Sequence, residues 1–429
     1  MTHSLPEFTP RLAKISRDYY HIGFLEDGYP GKVINGQIVP HPIYGIYVLN
    51  DYLFQYQKNR HPRLQQAIIV VADAVISRMQ PYLNTLVFWY DAESPFNSSG
   101  RKYYSGLTQG YYAKVLAKVY ELTGLARFKQ AAEKVFQSLT VPVDKGGVSH
   151  DSVKGPSLQE YPMGPNGYVL NGWLSIILSL REYAHILKDG QAEALWRANA
   201  KTVSELLPLY DVPAYCNSRY TLNGHRRLRL TVSTPQVHIQ KVSIHVPSEG
   251  TYPFVIKEKS NKWENHLVAE SVEAKAGNIC LKNQEAVLNV LFSRFSFPRE
   301  NILLLDLHAP AETTLQVDIS GGVFDPKRAS LLQRNWIRID QRSLRRGANN
   351  IRLKIPWTHL ELVGHPTTFK KIGGRYYNVY HFIHIERLKT LYAWTGQQRF
   401  LDYVRKWEAY VKSWPDIAVY QGLETQPYR

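Results

Sequence analysis

Apolar positions recur at helical spacing towards both ends of the chain and at alternate positions in between. Residues 43–59 (IYGIYVLNDYLFQYQKN) and 62–79 (PRLQQAIIVVADAVISRM) set large side chains three and four apart, predicting two helices. The second opens on Pro62, which suits a first helical turn. Residues 111–139 read helix, Thr-Gly stop, helix, and residues 382–411 read the same way. Each copy places Tyr and Leu ahead of Thr-Gly and Arg-Phe shortly after it, so Gly124 and Gly396 read as helix-ending glycines. Residues 167–187 and 193–210 form a further helical pair, its first helix starting near Tyr168. From about 227 to 356 the period changes to two: RLRLTVS, VHIQKVSIHV, NILLLDLHA, TTLQVDIS and NNIRLKI alternate between turn residues.

Repeated helical hairpins predict an α/α toroid, whose inner helix ends surround a cleft. The alternating text predicts an antiparallel β-sandwich inserted into it. The expected organisation is 1–226 as the first part of the toroid with an N-terminal helical and loop region, 227–356 as the inserted sandwich, and 357–429 as the last part of the toroid. The insertion either packs, makes a dimer contact, or walls one side of a polymer groove.

Composition narrows the partner. The formal charge is +16 and there are 29 tyrosines. Surplus positive charge calls for an acidic partner: nucleic acid, a membrane surface or an acidic polymer. The densest basic stretches, residues 225–230 (HRRLRL) and 342–347 (RSLRRG), are short, and spread basicity suits a long groove better than a targeting tail. No nucleic-acid-binding motif is present. The first 20 residues lack an apolar signal-peptide core, and no uncharged apolar span is long enough for a membrane, so a cytoplasmic protein is expected. Cys216 and Cys280 are the two cysteines and show no clustered spacing, so neither a disulfide framework nor a structural zinc site is expected.

Candidate chemistry gathers in two stretches. Residues 146–173 run from Gly-, Pro- and polar-rich text into a helix and carry Glu160, Tyr161 and Asn171. Residues 377–385 (YNVYHFIHI) place His381 and His384 on one helical face, which leaves metal, core and catalysis open. His150 and Asp151 could join such a metal site from another loop, although no third ligand stands nearby in sequence. Asp151, Glu160 and Asp211 are carboxylates that a glycoside hydrolase could use, but no pairing follows from their spacing.

Collinear motifs then decide between these readings. YYSGLTQGYYAKVL, GGV with EYPMGPNGYVLNGW, LLPLYD with SRYTL, and YHFIHIERLKTLYAWTG occur in that order over residues 103–220 and 377–411. Together they resemble the C-terminal α/α domain of the D-glucuronyl C5-epimerases, which turn D-glucuronate into L-iduronate within heparosan or heparan chains. The resemblance is to a bacterial-type member; the insertion, and the lack of an N-terminal anchor and β-rich region, depart from the animal enzymes. It implies three tyrosines around the reacting uronate: Tyr161 of the E-Y-P motif, Tyr380, and Tyr220, for which Tyr215 is a rival. It further implies substrate contacts from Glu160, Asn171, Gln109, Tyr104, His381 and His384. The arginine that the family carries three residues after the third tyrosine is replaced by Asn223, so Arg219 or an arginine of HRRLR would have to neutralise the uronate carboxylate. No metal and no organic cofactor are implied. The partner is an acidic, heparosan-like polysaccharide, and a homodimer is expected because animal relatives form dimers. A polysaccharide lyase and a non-catalytic glycan-binding protein remain the rival readings.

Overall fold

A computed structural model describes residues 5, 22–97, 99–161, 166–254, 266–267, 273–275, 278–281 and 284–428. The leader reading of the first 20 residues, and the prolines at 162 and 165 beside Tyr161, lie outside the described residues.

The architecture is mixed, with paired helices and several antiparallel sheets. Four helical hairpins follow one another among the described residues. They are α1 (Tyr44–Lys58) with α2 (Pro62–Arg78), α3 (Gly106–Thr123) with α4 (Ala126–Ser138), α5 (Leu170–Leu187) with α6 (Gly190–Tyr210), and α7 (Val379–Thr395) with α8 (Gln398–Ser413). The first member of each pair also packs against the next first member: α1 on α3, α3 on α5, α5 on α7. Gly124 and Gly396 close α3 and α7 at φ +69° and +66° and donate their N–H groups to Tyr120 and Tyr392. A side chain there would be forced into the left-handed region, which explains the glycine in both copies.

A hairpin of β1 (Ser149–Ser152) and β2 (Gly155–Leu158) lies between the second and third helical pairs. The long strands come after α6: β3 (Asn223–Val232), β4 (Val237–Val246), β5 (Glu285–Ser293), β6 (Asn301–Ala309), β7 (Thr313–Asp325), β8 (Ser330–Leu344) and β9 (Gly347–Ile355). One antiparallel sheet runs β5-β3-β7-β8 and the other β4-β6-β9, each extended by shorter strands. Alternate residues such as Leu228, Leu230, Ile239, Leu303 and Leu305 are fully buried and form one apolar cluster for both sheets. The helical pairs bury a different cluster, centred on residues such as Trp173, Ile176, Leu388 and Trp407. Two periods in the sequence thus produce two cores.

The segments entering and leaving the β unit run side by side. Tyr220 N–H donates to His365 O at 3.0 Å, Thr221 N–H to Gly364 O at 3.2 Å, and Thr367 N–H to Ser218 O at 2.8 Å. Beyond them, β10 (Lys370–Ile372) and β11 (Arg375–Tyr377) turn through Gly373 and Gly374 into α7. No helix of the described residues is long and apolar enough to cross a membrane.

Candidate active site

The segment after β2 is threaded between two helices. Gly106 N–H, at the start of α3, donates to Glu160 O at 3.2 Å. A Cβ on Gly106 would lie 2.3 Å from Gln159 O, and one on Gly172 of α5 would lie 2.1 Å from Glu160 Oε2. Only glycine lets this backbone and this carboxyl approach so closely. Glu160 is consequently buried, and its Oε2 has no hydrogen-bond partner. Burial pushes its pKa up to about 7, with a hydrogen bond from the Tyr161 hydroxyl pulling the other way.

Tyr161 stands edge-on to Tyr103 at 5.7 Å between ring centroids, and Tyr103 stacks on Tyr90 at 5.1 Å. The neighbouring Glu160 charge, burial, and the nearby Tyr220 hold the Tyr161 phenol well above the ordinary tyrosine value. Tyr220 packs on Tyr380 at 5.0 Å on one side and stacks on His365 at 5.4 Å on the other. Burial, the Glu160 charge and Tyr380, to which it is hydrogen-bonded, raise its pKa as well. Tyr380 sits in the first turn of α7, and Lys370 Nζ, carried back over it by the β10–β11 turn, donates to its hydroxyl at 3.1 Å. Tyr161, Tyr220 and Tyr380 therefore form one cluster with Glu160 at one side and an ammonium at the other. The starts of α3, α5 and α7 border it, and helix N-termini favour negative charge.

Lys370 and Tyr103 were not singled out from the sequence. The available signal was the KKIGGRYY text, a Gly-Gly turn flanked by short strands that returns Lys370 to the next helix start.

The remaining expected contacts are placed as follows. Asn171 lies in the first turn of α5, one residue from Gly172, and its buried Oδ1 has no partner. The other five are drawn into the interior. Arg219 is fully buried, donating to the carbonyls of Leu209, Glu361 and Val363 at 3.1, 2.7 and 2.5 Å. It braces the chain beside Tyr220 rather than presenting a cation to a sugar. Gln109 is fully buried and bonded to Phe88 N–H, Leu86 O and Ser138 Oγ. Tyr104 is buried with its hydroxyl on Ser138 O at 2.8 Å. His381 and His384 share a face as expected, and both Nδ1 atoms meet Ser218 Oγ, at 2.9 and 2.8 Å. His381 Nδ1 also accepts from Ser218 N–H, so its Nε2 carries the proton donated to Trp407 O. Burial lowers the His381 pKa to about 4 and that of His384 further. The histidines are neutral helix anchors next to Tyr380, and no group of three His, Cys, Asp or Glu among the described residues is arranged to hold a metal. Asp211 accepts from Lys406, Trp407 and Tyr410. It is a structural acceptor.

A cavity of about 600 Å³ lies between α1, α3, α5 and α7, but Tyr161, Tyr220 and Tyr380 do not line it. There Lys114 and Lys118 close on Glu182 at 3.5 and 2.6 Å.

Comparison with known proteins bears on the same stretch. Residues 84–264, which hold Tyr161 and Tyr220, match the family described as D-glucuronyl C5-epimerase C-terminus. This similarity spans less than half of the chain. A D-glucuronyl C5-epimerase of Caenorhabditis elegans is 25% identical over 121 residues, covering 25% of this chain and 20% of the worm protein. An uncharacterized protein of Methanocaldococcus jannaschii is 28% identical over 214 residues, 46% of this chain and 68% of that one. Among solved structures, a GH76 alpha-mannanase of Bacteroides thetaiotaomicron aligns at a TM-score of 0.32 and 13% identity, over 45% of this chain and 47% of that one.

Proposed function

We propose that this chain is a uronyl C5-epimerase that converts D-glucuronate to L-iduronate within a heparosan-like polysaccharide. The observation that carries this reading is the convergence of Tyr161, Tyr220 and Tyr380 between Glu160 and Lys370. On this reading the helical pairs form an α/α toroid, the two sheets are a β-sandwich walling its groove, and the protein works as a cytoplasmic homodimer.

The reaction needs three things. The C5 proton is only weakly acidic, so the enediolate formed on its removal needs cations or donors in a site shielded from water. Lys370, the α5 and α7 starts and the Asn171 amide supply them. Inversion then needs one proton acceptor and one donor on opposite faces of the ring. Tyr380 is the acceptor, with Lys370 Nζ donating to its oxygen at 3.1 Å. Tyr161 is the donor, because burial and Glu160 keep its phenol protonated. Glu160, titrating near neutrality, passes a proton to Tyr161 and is reprotonated from solvent, while Tyr380 releases the C5 proton to solvent, which resets the site for the next turnover. Tyr220 spans the two and steadies Tyr380. In the reverse direction the two roles exchange.

Incubating heparosan with the protein in heavy water tests this. Deuterium at C5 with unchanged chain length is the expected result. A new unsaturated-uronate absorption with chain shortening would instead establish a lyase, and binding without exchange a glycan-binding protein.

A further inference from the structure

The β unit carries a second pocket, of about 310 Å³, where β3 separates from the β7–β8 hairpin. His225, Arg226, Arg227 and Arg334 line it, and its described lining includes no Asp or Glu. Its floor reaches the tyrosine cluster: His365 lines it too, and the same imidazole stacks on Tyr220 at 5.4 Å.

Arg226 is the unusual member. It lies on the inward face of β3, only 9% exposed, just beyond the point where β3 stops pairing with β7. One guanidinium nitrogen donates to Ser320 O, while its buried Nε has no partner. A buried guanidinium with an unused donor and no carboxylate beside it is costly unless an anion completes it. Arginine is also the side chain whose planar fork suits a carboxylate or sulfate. Arg227 and Arg334 stand exposed at the mouth, where they raise the local concentration of an anionic chain.

We infer that this pocket is a subsite for an anionic group, carboxylate or sulfate, on a sugar residue flanking the one that reacts. It rests on the reading of the chain as an epimerase of an acidic polysaccharide, and it gives the β unit a role in choosing the polymer. The subsite compensates in part for the arginine that Asn223 replaces, by moving the cationic contact from the reacting residue to its neighbour.

The test uses the full chain and the exposed arginines, because Arg226→Ala can fail for reasons of folding. Arg227→Gln, Arg334→Gln and the double variant are compared with the parent on heparosan and on N-sulfated heparosan, by C5 deuterium exchange and by calorimetric binding. The double variant is expected to raise KM and Kd about ten-fold and to flatten their salt dependence, with kcat within about two-fold. Loss confined to the N-sulfated polymer assigns the pocket to sulfate, and equal loss on both assigns it to carboxylate. Unchanged KM, Kd and salt dependence with normal exchange overturns the subsite and leaves the epimerase intact. No exchange by the parent, but binding that the double variant loses, overturns the epimerase and keeps the subsite. Absence of both exchange and binding overturns both.

Discussion

At the scale of single residues, the hydroxyls of Tyr161 and Tyr380 are the atoms that would move protons. Tyr161→Phe and Tyr380→Phe are each expected to lower C5 deuterium exchange by at least about 100-fold while polysaccharide binding, read by calorimetry, stays within a few-fold. Glu160 gives a prediction that needs no substrate. Its folded pKa, about 7, stands above the ordinary 4.5, so between these values the folded state retains a proton that the unfolded chain has released. Stability from this group is therefore full below about pH 4.5 and lost as pH rises through 7, by up to about 3 kcal/mol. Glu160→Gln cannot titrate, so its Tm relative to the parent should improve from pH 5 to pH 8. A difference that is flat with pH would show that Glu160 is not buried as described. The sequence made Glu160 and the tyrosines visible because motif order survives distance. It did not reveal that Arg219, Gln109, Tyr104 and the two histidines face inward, since a polar residue held by buried partners looks no different in a string of letters from one facing a ligand.

Elements explain why the site sits where it does. Two glycines on neighbouring helices, Gly106 and Gly172, let the strand after the β1–β2 hairpin lie flat against helix starts. In Gly172→Ala the new methyl would lie 2.1 Å from Glu160 Oε2 and 2.8 Å from its carboxyl carbon, so the carboxyl must leave its place. Alanine in a helix ordinarily gains about 1 kcal/mol over glycine. Here a net loss of about 1–3 kcal/mol is expected, together with lost deuterium exchange. A thermal melt showing the ordinary gain would refute the close approach. Periodicity predicted the helices within a few residues because each buries one stripe. It also predicted β3, β4, β6, β7 and β9, whose alternation is clean. β8 was not among them: it carries Arg334, Arg338 and Arg342, and Arg338 is held by Asp318 of β7 at 2.5 Å, a cross-strand partner that local text cannot show.

For the whole molecule, the formal +16 charge and the basic pocket set the terms of encounter with a polyanion. KM for heparosan should rise steeply between low and physiological ionic strength while kcat changes little, since screening acts on approach and not on the enclosed tyrosines. A salt-independent KM would mean that the surplus charge serves something else. The change of hydrophobic period around residue 227 already divided the chain into the two regions that bury separate cores. How those regions touch was not legible, because contacts such as Arg219 with Glu361 and Val363 join residues more than 140 positions apart.

Arg219 has a mechanical consequence. Its guanidinium clasps the last turn of α6 and the turn leaving the β unit, and the very next residue is Tyr220. A torque on the β unit, such as a long glycan pulling on its arginines, would be delivered through that clasp to the tyrosine that packs on Tyr380. The β unit is then less a detachable accessory than a lever with its short arm in the site. Arg219→Lys, which keeps the charge but cannot hold three carbonyls in the same fork, should let that lever slip: exchange on long chains would fall towards the rate seen with short oligosaccharides, with the fold intact by circular dichroism.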